Sequence, residues 1–327
     1  MALTHKAQPI LHPSVAQALH DFVPAGLADR EAFCLRLQDI YGAPTATEIL
    51  SAMLTNKYRC YWLNPLQPPP KADALGGEPV DSLVGVYQVP VDHPITQHSA
   101  ATDGQIYIQN PSSYFAVKTL APMLGEEVLD LAAAPGGKTL AIAALMKNTG
   151  RIAAVEPIRG RFHRMQANLR RCGVTNVQFY QRDGRSVGRL VPERFDRVLL
   201  DAPCSSESRM RWLDQQSFEQ WSLRKIRETQ RKQKSLLRSA YAALKPGGVM
   251  VYCTCSFAPE ENELVVNALL KKTDALLLPI ANAPKNMRSG LTRWMGRELN
   301  PMLTCSLRII PKGPWDGFYL ALIEKPQ

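Results

Sequence analysis

Apolar positions along the chain change their rhythm near residue 126. Upstream, from about residue 14 to 65, they recur at helical spacing and stop at YRCYWLNPL. The following stretch, LQPPPKADALGGEPVDSLVGVYQVPVD (66–92), is rich in Pro and Gly and breaks any helix. From 126 onward short apolar runs alternate with helix-period segments. EVLDLA (126–131) leads through a Gly-rich turn into KTLAIAALMK (138–147), and RIAAVE (151–156) precedes an arginine-rich helix. NVQFYQRD (176–183) and FDRVLLDAP (195–203) follow, the latter leading into a long helical stretch to Leu244. A Lys-Pro-Gly-Gly turn opens GVMVYCTC (248–255), a helix is expected over 260–271, and 306–325 reads as two strands joined by a turn. Strands alternating with helices predict right-handed crossovers and a mostly parallel sheet. The expected fold is doubly wound α/β over 101–327, with a smaller N-terminal α+β region over 1–100.

In such sheets ligands bind outside the carboxyl ends of the strands, where the strand order reverses. Each unusual polar or reactive residue of the second half lies at such an end. After the first strand, LDLAAAPGGKT (129–139) lacks the Gly-x4-Gly-Lys of a P-loop, because Ala132 stands where the first glycine is needed. It also lacks the dinucleotide fingerprint. What remains is a small-residue loop that lets a ligand approach free amides at a helix N-terminus. Glu156, ending the second strand, can accept hydrogen bonds from ribose hydroxyls, and Asp183, ending the third, can receive an adenine amino group. Either acid alone could merely cap the turn that follows it. Together with the loop they suggest an adenosine-bearing ligand.

The fourth and fifth strands close on DAPCSSE (201–207) and YCTCSFAPEEN (252–262). Adjacent parallel strands would set Cys204 and Cys255 on one rim, beside the ligand loop. A thiolate is the reactive form, and a nearby cation or helix N-terminus favours it. Lys138 and the helix after Cys255 are the expected sources. A soft nucleophile adds to carbon 6 of a pyrimidine and makes carbon 5 able to attack an activated methyl group.

Charge narrows the partner. The 327 residues carry a formal net charge of +10, clustered in RGRFHRMQANLRR (159–171) and RKIRETQRKQKSLLR (224–238). Two such runs favour a polyanion, and neither pairs its charge with an aromatic-rich apolar face suited to a membrane. No apolar stretch reaches the length of a membrane span, and MALTHKAQPILHPSVAQ resembles neither a signal nor a transit peptide, so a cytoplasmic protein is expected. Seven cysteines, an odd number with no Cys-x-x-Cys pair, argue against a disulfide framework and against a metal site. Cys34, Cys60, Cys172 and Cys305 read as small hydrophobes.

The motifs GQIYIQNPSSYF, LDLAAAPGGKT, VLLDAPCSSE, LKPGGVMVYCTCSFAPEENE and GFYLALIEK occur in the order and spacing of a known family. Residues 104–327 resemble the RsmB/RsmF-type (Sun-family) RNA cytosine-5 methyltransferases, which have a Rossmann-like class I methyltransferase fold and use S-adenosylmethionine. The resemblance implies roles residue by residue. Cys255 would be the covalent nucleophile and Cys204 would assist release of the methylated base. Asp201 would hydrogen-bond the cytosine edge, with Lys138 in the same pocket. Ala132, Ala133, Ala134, Pro135, Gly136, Gly137 and Lys138, with Glu156, Arg161, Asp183 and Asp201, would hold the cofactor. Cys253 falls where the family often has serine or alanine and is read as packing.

The N-terminal region resembles the family's RNA-binding region only loosely, through YWLN (61–64). The Pro-Cys motif continues Ser-Ser-Glu-Ser-Arg instead of Ser-Gly-x-Gly, in a segment expected to touch RNA. Arg209 and Arg211 are the candidate strand contacts, with Arg231, Lys232 and Lys234 either joining them or forming a solvated face. The chain ends just after the last predicted strand, so no C-terminal RNA-binding module is expected. The expected partner is ribosomal or transfer RNA, with no metal. A competing reading is an RNA-binding assembly factor whose methyltransferase fold no longer needs its chemistry. Loss of either thiol or of Glu156 would have favoured it.

Overall fold

The computed structural model describes residue 13 and residues 28–55, 58–70, 75–212, 214, 217–218 and 221–327. The helical pattern read over 14–27 therefore lies outside the described residues. Beyond it come two helices, α1 (Ala28–Tyr41) and α2 (Ala43–Leu54). Gly42 divides them with a φ of 77°, a conformation that favours glycine. Four short strands, β1 (Arg59–Leu63), β2 (Glu78–Pro79), β3 (Val86–Val89) and β4 (Ile106–Ile108), form an antiparallel sheet in the order β2-β3-β1-β4.

The main layer begins after α3 (Pro111–Leu120). β5 (Glu127–Asp130), α4 (Gly137–Leu145), β6 (Arg151–Val155), α5 (Arg159–Arg171), β7 (Val177–Tyr180) and β8 (Phe195–Asp201) follow in turn. Then come α6 (Leu223–Ala243), β9 (Leu244–Thr254) and α7 (Glu263–Leu270). The chain continues through β10 (Leu276–Leu278), β11 (Met287–Ser289), the hairpin β12 (Arg293–Trp294) with β13 (Arg297–Glu298), β14 (Leu307–Ile309) and β15 (Phe318–Glu324).

The large sheet runs β11-β14-β15-β9-β8-β5-β6-β7, with β10 also on β15. β9, β8, β5, β6 and β7 are mutually parallel, whereas β10, β11, β14 and β15 pair antiparallel. This is the doubly wound α/β sheet the sequence predicts. The chain leaves β5 toward β6 and β7, then returns to place β8 on the other side of β5. Strand order thus reverses at β5/β8, which opens a cleft at their carboxyl ends.

Strand alternation divides the core between two faces. Val128, Ala154, Leu199, Val251 and Cys253 join one cluster, and Leu129, Ala153, Val198, Leu200 and Tyr252 the other. A third cluster joins Phe33, Leu37 and Ile49 of α1 and α2 to Met210, Trp212, Phe218, Trp221 and Phe257. The N-terminal helices therefore brace the loops beyond β8 and β9.

Three expected boundaries shift. The helix ending at Ala243 starts only at Leu223, because residues after Asp201 are drawn into that third cluster and Ser222 supplies the N-cap, its Oγ accepting from Lys225 N at 3.1 Å. α7 starts at Glu263 instead of 260, because Ala258–Asn262 form a turn closed by Glu261 N donating to Ala258 O at 3.0 Å. β9 starts at Leu244, and the Lys-Pro-Gly-Gly segment is absorbed as a register irregularity opposite Phe195 and Arg197. No described helix is long and apolar enough to cross a membrane.

Candidate active site

A cavity of about 540 Å³ opens at the β5/β8 switch point. Its walls include Ala132, Ala133, Ala134, Pro135, Gly137 and Lys138 from the loop after β5, and Asp201 and Cys204 after β8. Cys255, Arg161 and Arg209 complete that side, and Tyr107, Gln109, Asn110 and Asp316 face it. The loop is shaped by two glycines. Gly136 has a φ of 103°, and a Cβ on Gly137 would meet Tyr107 Cε1 at 2.7 Å. Gly136 itself lies outside the cavity wall, its N donating to Ala133 O at 2.7 Å.

The two thiols meet. Cys204 and Cys255 are free, with Sγ atoms 3.2 Å apart. The hydrogen bond from Cys204 holds the Cys255 thiol below the usual thiol range, and the Arg209 guanidinium reinforces this against burial. Cys204 is pushed well above its usual value, first by the same hydrogen bond and then by burial. The nearby cation is thus Arg209 and not Lys138, which sequence reading had placed there. The buried Lys138 Nζ instead donates to Asp201 Oδ2 at 2.7 Å; burial works to lower its pKa, and Asp201 together with Cys253 raises it on balance.

Strand register explains the cysteine doublet. Asp201 is paired with Cys253 across β8 and β9, and Cys253 Sγ donates to Asp201 Oδ1 at 3.6 Å. Cys253 is fully buried, in keeping with packing, but its thiol also faces the carboxylate. Cys255, two residues on, stands above it in the cleft, while Thr254 faces away and donates to Asn262 Oδ1 at 2.6 Å.

The two acids expected at the adenosine end cap turns and lie outside the cavity wall. Glu156 is buried; its Oε1 accepts from Ile158 N at 2.9 Å and its Oε2 lies 3.6 Å from Arg161. Asp183 caps the next turn by accepting from Arg185 N at 2.9 Å and forms a 2.5 Å ion pair with the same side chain. Arg161 NH2 also donates to Ala134 O at 2.9 Å, fastening the glycine loop.

Sequence reading missed Asp130. It is buried, its Oδ2 accepts from Thr139 Oγ1 at 2.7 Å, and its Oδ1 has no hydrogen-bond partner in the structure although the residue lines the cavity. Burial raises its pKa to about 6, against the Thr139 hydrogen bond. The strand-end rule that singled out Glu156 and Asp183 applies equally to it. The Ser-Ser-Glu-Ser-Arg departure, expected to meet RNA, turns inward: Glu207 and Ser208 are buried, because the Glu207 carboxylate collects donors from the Cys255 loop. Only Arg209 and Arg211 of this stretch are exposed, and Arg209 faces the thiols.

Residues 117–324 match the family model for the 16S rRNA methyltransferase RsmB/F. The chain belongs to the RsmB/F family. Over 228 residues it is 41% identical to a tRNA (cytosine(49)-C(5))-methyltransferase of Pyrococcus abyssi, covering 68% of this chain and 71% of that one. It is 44% identical over 240 residues to the ribosomal RNA small subunit methyltransferase F of Aeromonas salmonicida, covering 71% of this chain and 48% of that one. The chain spans about half the length of that RsmF relative, or less in others of the same name. A solved methyltransferase homolog protein from Pyrococcus horikoshii superposes with a TM-score of 0.81 at 32% identity, covering 96% of this chain and 100% of that one. Family membership agrees with the resemblance read from the motifs and with an RNA methyltransferase as the enzyme class. Among the described residues no group of three or more His, Cys, Asp or Glu side chains could hold a metal.

Proposed function

We propose that this chain is an RNA cytosine-5 methyltransferase that works through a covalent Cys255–cytosine intermediate, on a ribosomal or transfer RNA. The observation that carries this reading is the pair of free thiols 3.2 Å apart in the cleft at the strand switch point. The residues fit S-adenosylmethionine. The unpartnered Asp130 Oδ1 suits an ammonium group, and the small loop Ala132–Gly137 admits an adenosyl moiety close to the backbone. Arg161 lines that end, and Glu156 and Asp183, now capping turns, would release those contacts to meet the ligand. When bound, the cofactor supplies an electrophilic methyl group for carbon 5.

The chain's own residues do the rest. Cys255, biased toward thiolate, forms the bond to carbon 6, and the displaced electron pair gives carbon 5 its nucleophilic character. Asp201, held by Lys138 on one oxygen and Cys253 on the other, faces the base edge with a fixed carboxylate. Cys204, half-buried in the same cavity, assists departure of Cys255 from the methylated base.

Cys255→Ala should abolish methyl transfer while leaving cofactor binding nearly intact. Cys204→Ala should still attack and methylate, and should accumulate a covalent RNA–protein adduct on denaturing gels with labelled RNA. Near-normal turnover in Cys255→Ala would refute the mechanism, and absence of an adduct in Cys204→Ala would reverse the two roles.

A further inference from the structure

The loops that carry the two thiols are fastened to each other by a reciprocal pair of buried carboxylates. Glu207 stands three residues after Cys204. Its Oε2 accepts from Ser256 Oγ at 2.9 Å, Phe257 N at 2.8 Å and Ala258 N at 2.9 Å, all in the loop after Cys255. Its Oε1 accepts from Trp221 Nε1 at 2.7 Å. Glu261 stands six residues after Cys255 and reaches the other way. Its oxygens accept from Ser205 N at 3.0 and 3.2 Å and from the Ser205 hydroxyl, next to Cys204, and from Gln233 Nε2 at 3.2 Å. Glu207 is 2% exposed and Glu261 0%. Two carboxylates this close in an apolar setting are costly to bury unless donors surround them, and here each draws most of its donors from the opposite loop and one from outside both, Trp221 or Gln233.

We propose that Glu207 and Glu261 are positioning residues that hold the two thiols at reacting distance, and so set how fast the covalent adduct is resolved relative to how fast it forms. This rests on the roles given above to Cys255 and Cys204. Neither carboxylate lines the cleft, so their action passes through Ser205, Ser256 and the backbone on either side of the thiols. Without the clasp, each cysteine would still lie at a strand end, and the loops would be joined by Ala202 N donating to Cys253 O, Ser208 N to Cys255 O and Ser205 Oγ to Ser256 Oγ at 3.1 Å. Of these only the hydroxyl contact lies beside the thiols themselves, and one such contact holds Cys204 to Cys255 far less firmly than the two carboxylates do.

The test uses the full chain with Glu207→Gln and Glu261→Gln, in two assays. The first measures thiol proximity without RNA: diamide removes two electrons and two protons from the pair as it closes a Cys204–Cys255 disulfide, read by intact mass and by loss of alkylatable thiols. The second measures the fraction of RNA trapped as adduct in a single turnover, with Cys204→Ala alongside. Each glutamine replaces an acceptor oxygen by an amide that faces other donors, so closure by diamide should slow about tenfold or more and the trapped fraction should rise. Unchanged closure in folded variants overturns the proposal. So does a trapped fraction that stays low in Glu207→Gln while Cys204→Ala traps RNA. If Cys204→Ala itself traps nothing, the failure lies with the roles of the thiols, and slowed closure still supports the clasp. Should the glutamine variants not fold, Trp221→Phe and Gln233→Leu each remove one donor from outside the loops. Smaller shifts in the same direction are then expected, and no shift in either assay overturns the proposal.

Discussion

Asp130 is a buried acid whose desolvation outweighs the help its charge receives from Thr139, Lys138 and the Ala132 backbone, and its replacement should make the protein more stable while impairing it. In the folded chain its pKa is raised to about 6 from an ordinary 3.8, burial being the main cause. Above the unfolded-state value the unfolded chain loses this proton while the folded chain keeps it. Stability therefore falls as pH rises through this interval, and levels off once both states are ionised. At about 1.4 kcal/mol per unit, the ionised carboxylate lowers stability by about 3 kcal/mol above pH 7. Asp130→Asn keeps an oxygen for Thr139 Oγ1 and adds no charge. It should raise the free energy of unfolding by up to about 3 kcal/mol at pH 8 and by almost nothing at pH 4. Urea unfolding at fixed temperature, repeated across that range without ligand, measures the difference. Calorimetric titration with S-adenosylmethionine should show weakened binding in the same variant, since the acceptor facing the cleft becomes an amide. A stability gain independent of pH, or a loss at pH 8, would refute the reasoning.

Two further predictions concern the surroundings of the thiols. Arg209→Gln removes the cation that favours the Cys255 thiolate, so the pH midpoint for alkylation of Cys255 by iodoacetamide should move upward, most visibly when Cys204 is replaced by serine in the background. An unmoved midpoint would show that the hydrogen bonds to Cys255 suffice. Glu263→Ala should destabilise the chain by about 3–5 kcal/mol, because it leaves Arg308 charged and buried with, among the described residues, Tyr41 Oη and Phe257 O at 2.8 and 2.9 Å as its acceptors. Thermal denaturation checks this, and a loss below about 1 kcal/mol would mean that the guanidinium finds water.

The order of elements in the second half was legible because alternating apolar runs and helix-period segments carry their own signal. The parallel sheet from β5 to β9 followed from it, as did the convergence of Lys138, Asp201, Cys204 and Cys255 at strand ends. The stretch after residue 203 reads as helix up to Leu244, but its apolar residues Trp212, Phe218 and Trp221 serve a tertiary cluster with Phe33. The identity of the cation beside Cys255 was equally hidden. Lys138 is near the thiol in sequence logic, but its choice of Asp201 depends on the distance between two loops that no spacing records. Glu207 and Glu261 carried no signal in the sequence, since an acid in a turn is ordinarily solvated. Only the assembled loops reveal the ring of donors around them.

The ladder between β8 and β9 makes the site of attack a question of parity. On a strand, odd and even positions look to opposite sides, so residues 253 and 255 face one way, Cys253 buried against Asp201 and Cys255 in the cleft, and residue 254 faces the other. A reactive group could migrate along β9 in the course of descent only by jumps of two residues, roughly 6.6 Å each. The jump inward ends at Cys253, beneath Asp201 and fully buried. A single insertion or deletion within the paired part of β9 would turn every cleft-facing group to the far side at once. The strand leading to Cys255 is therefore a unit whose length in residues is fixed.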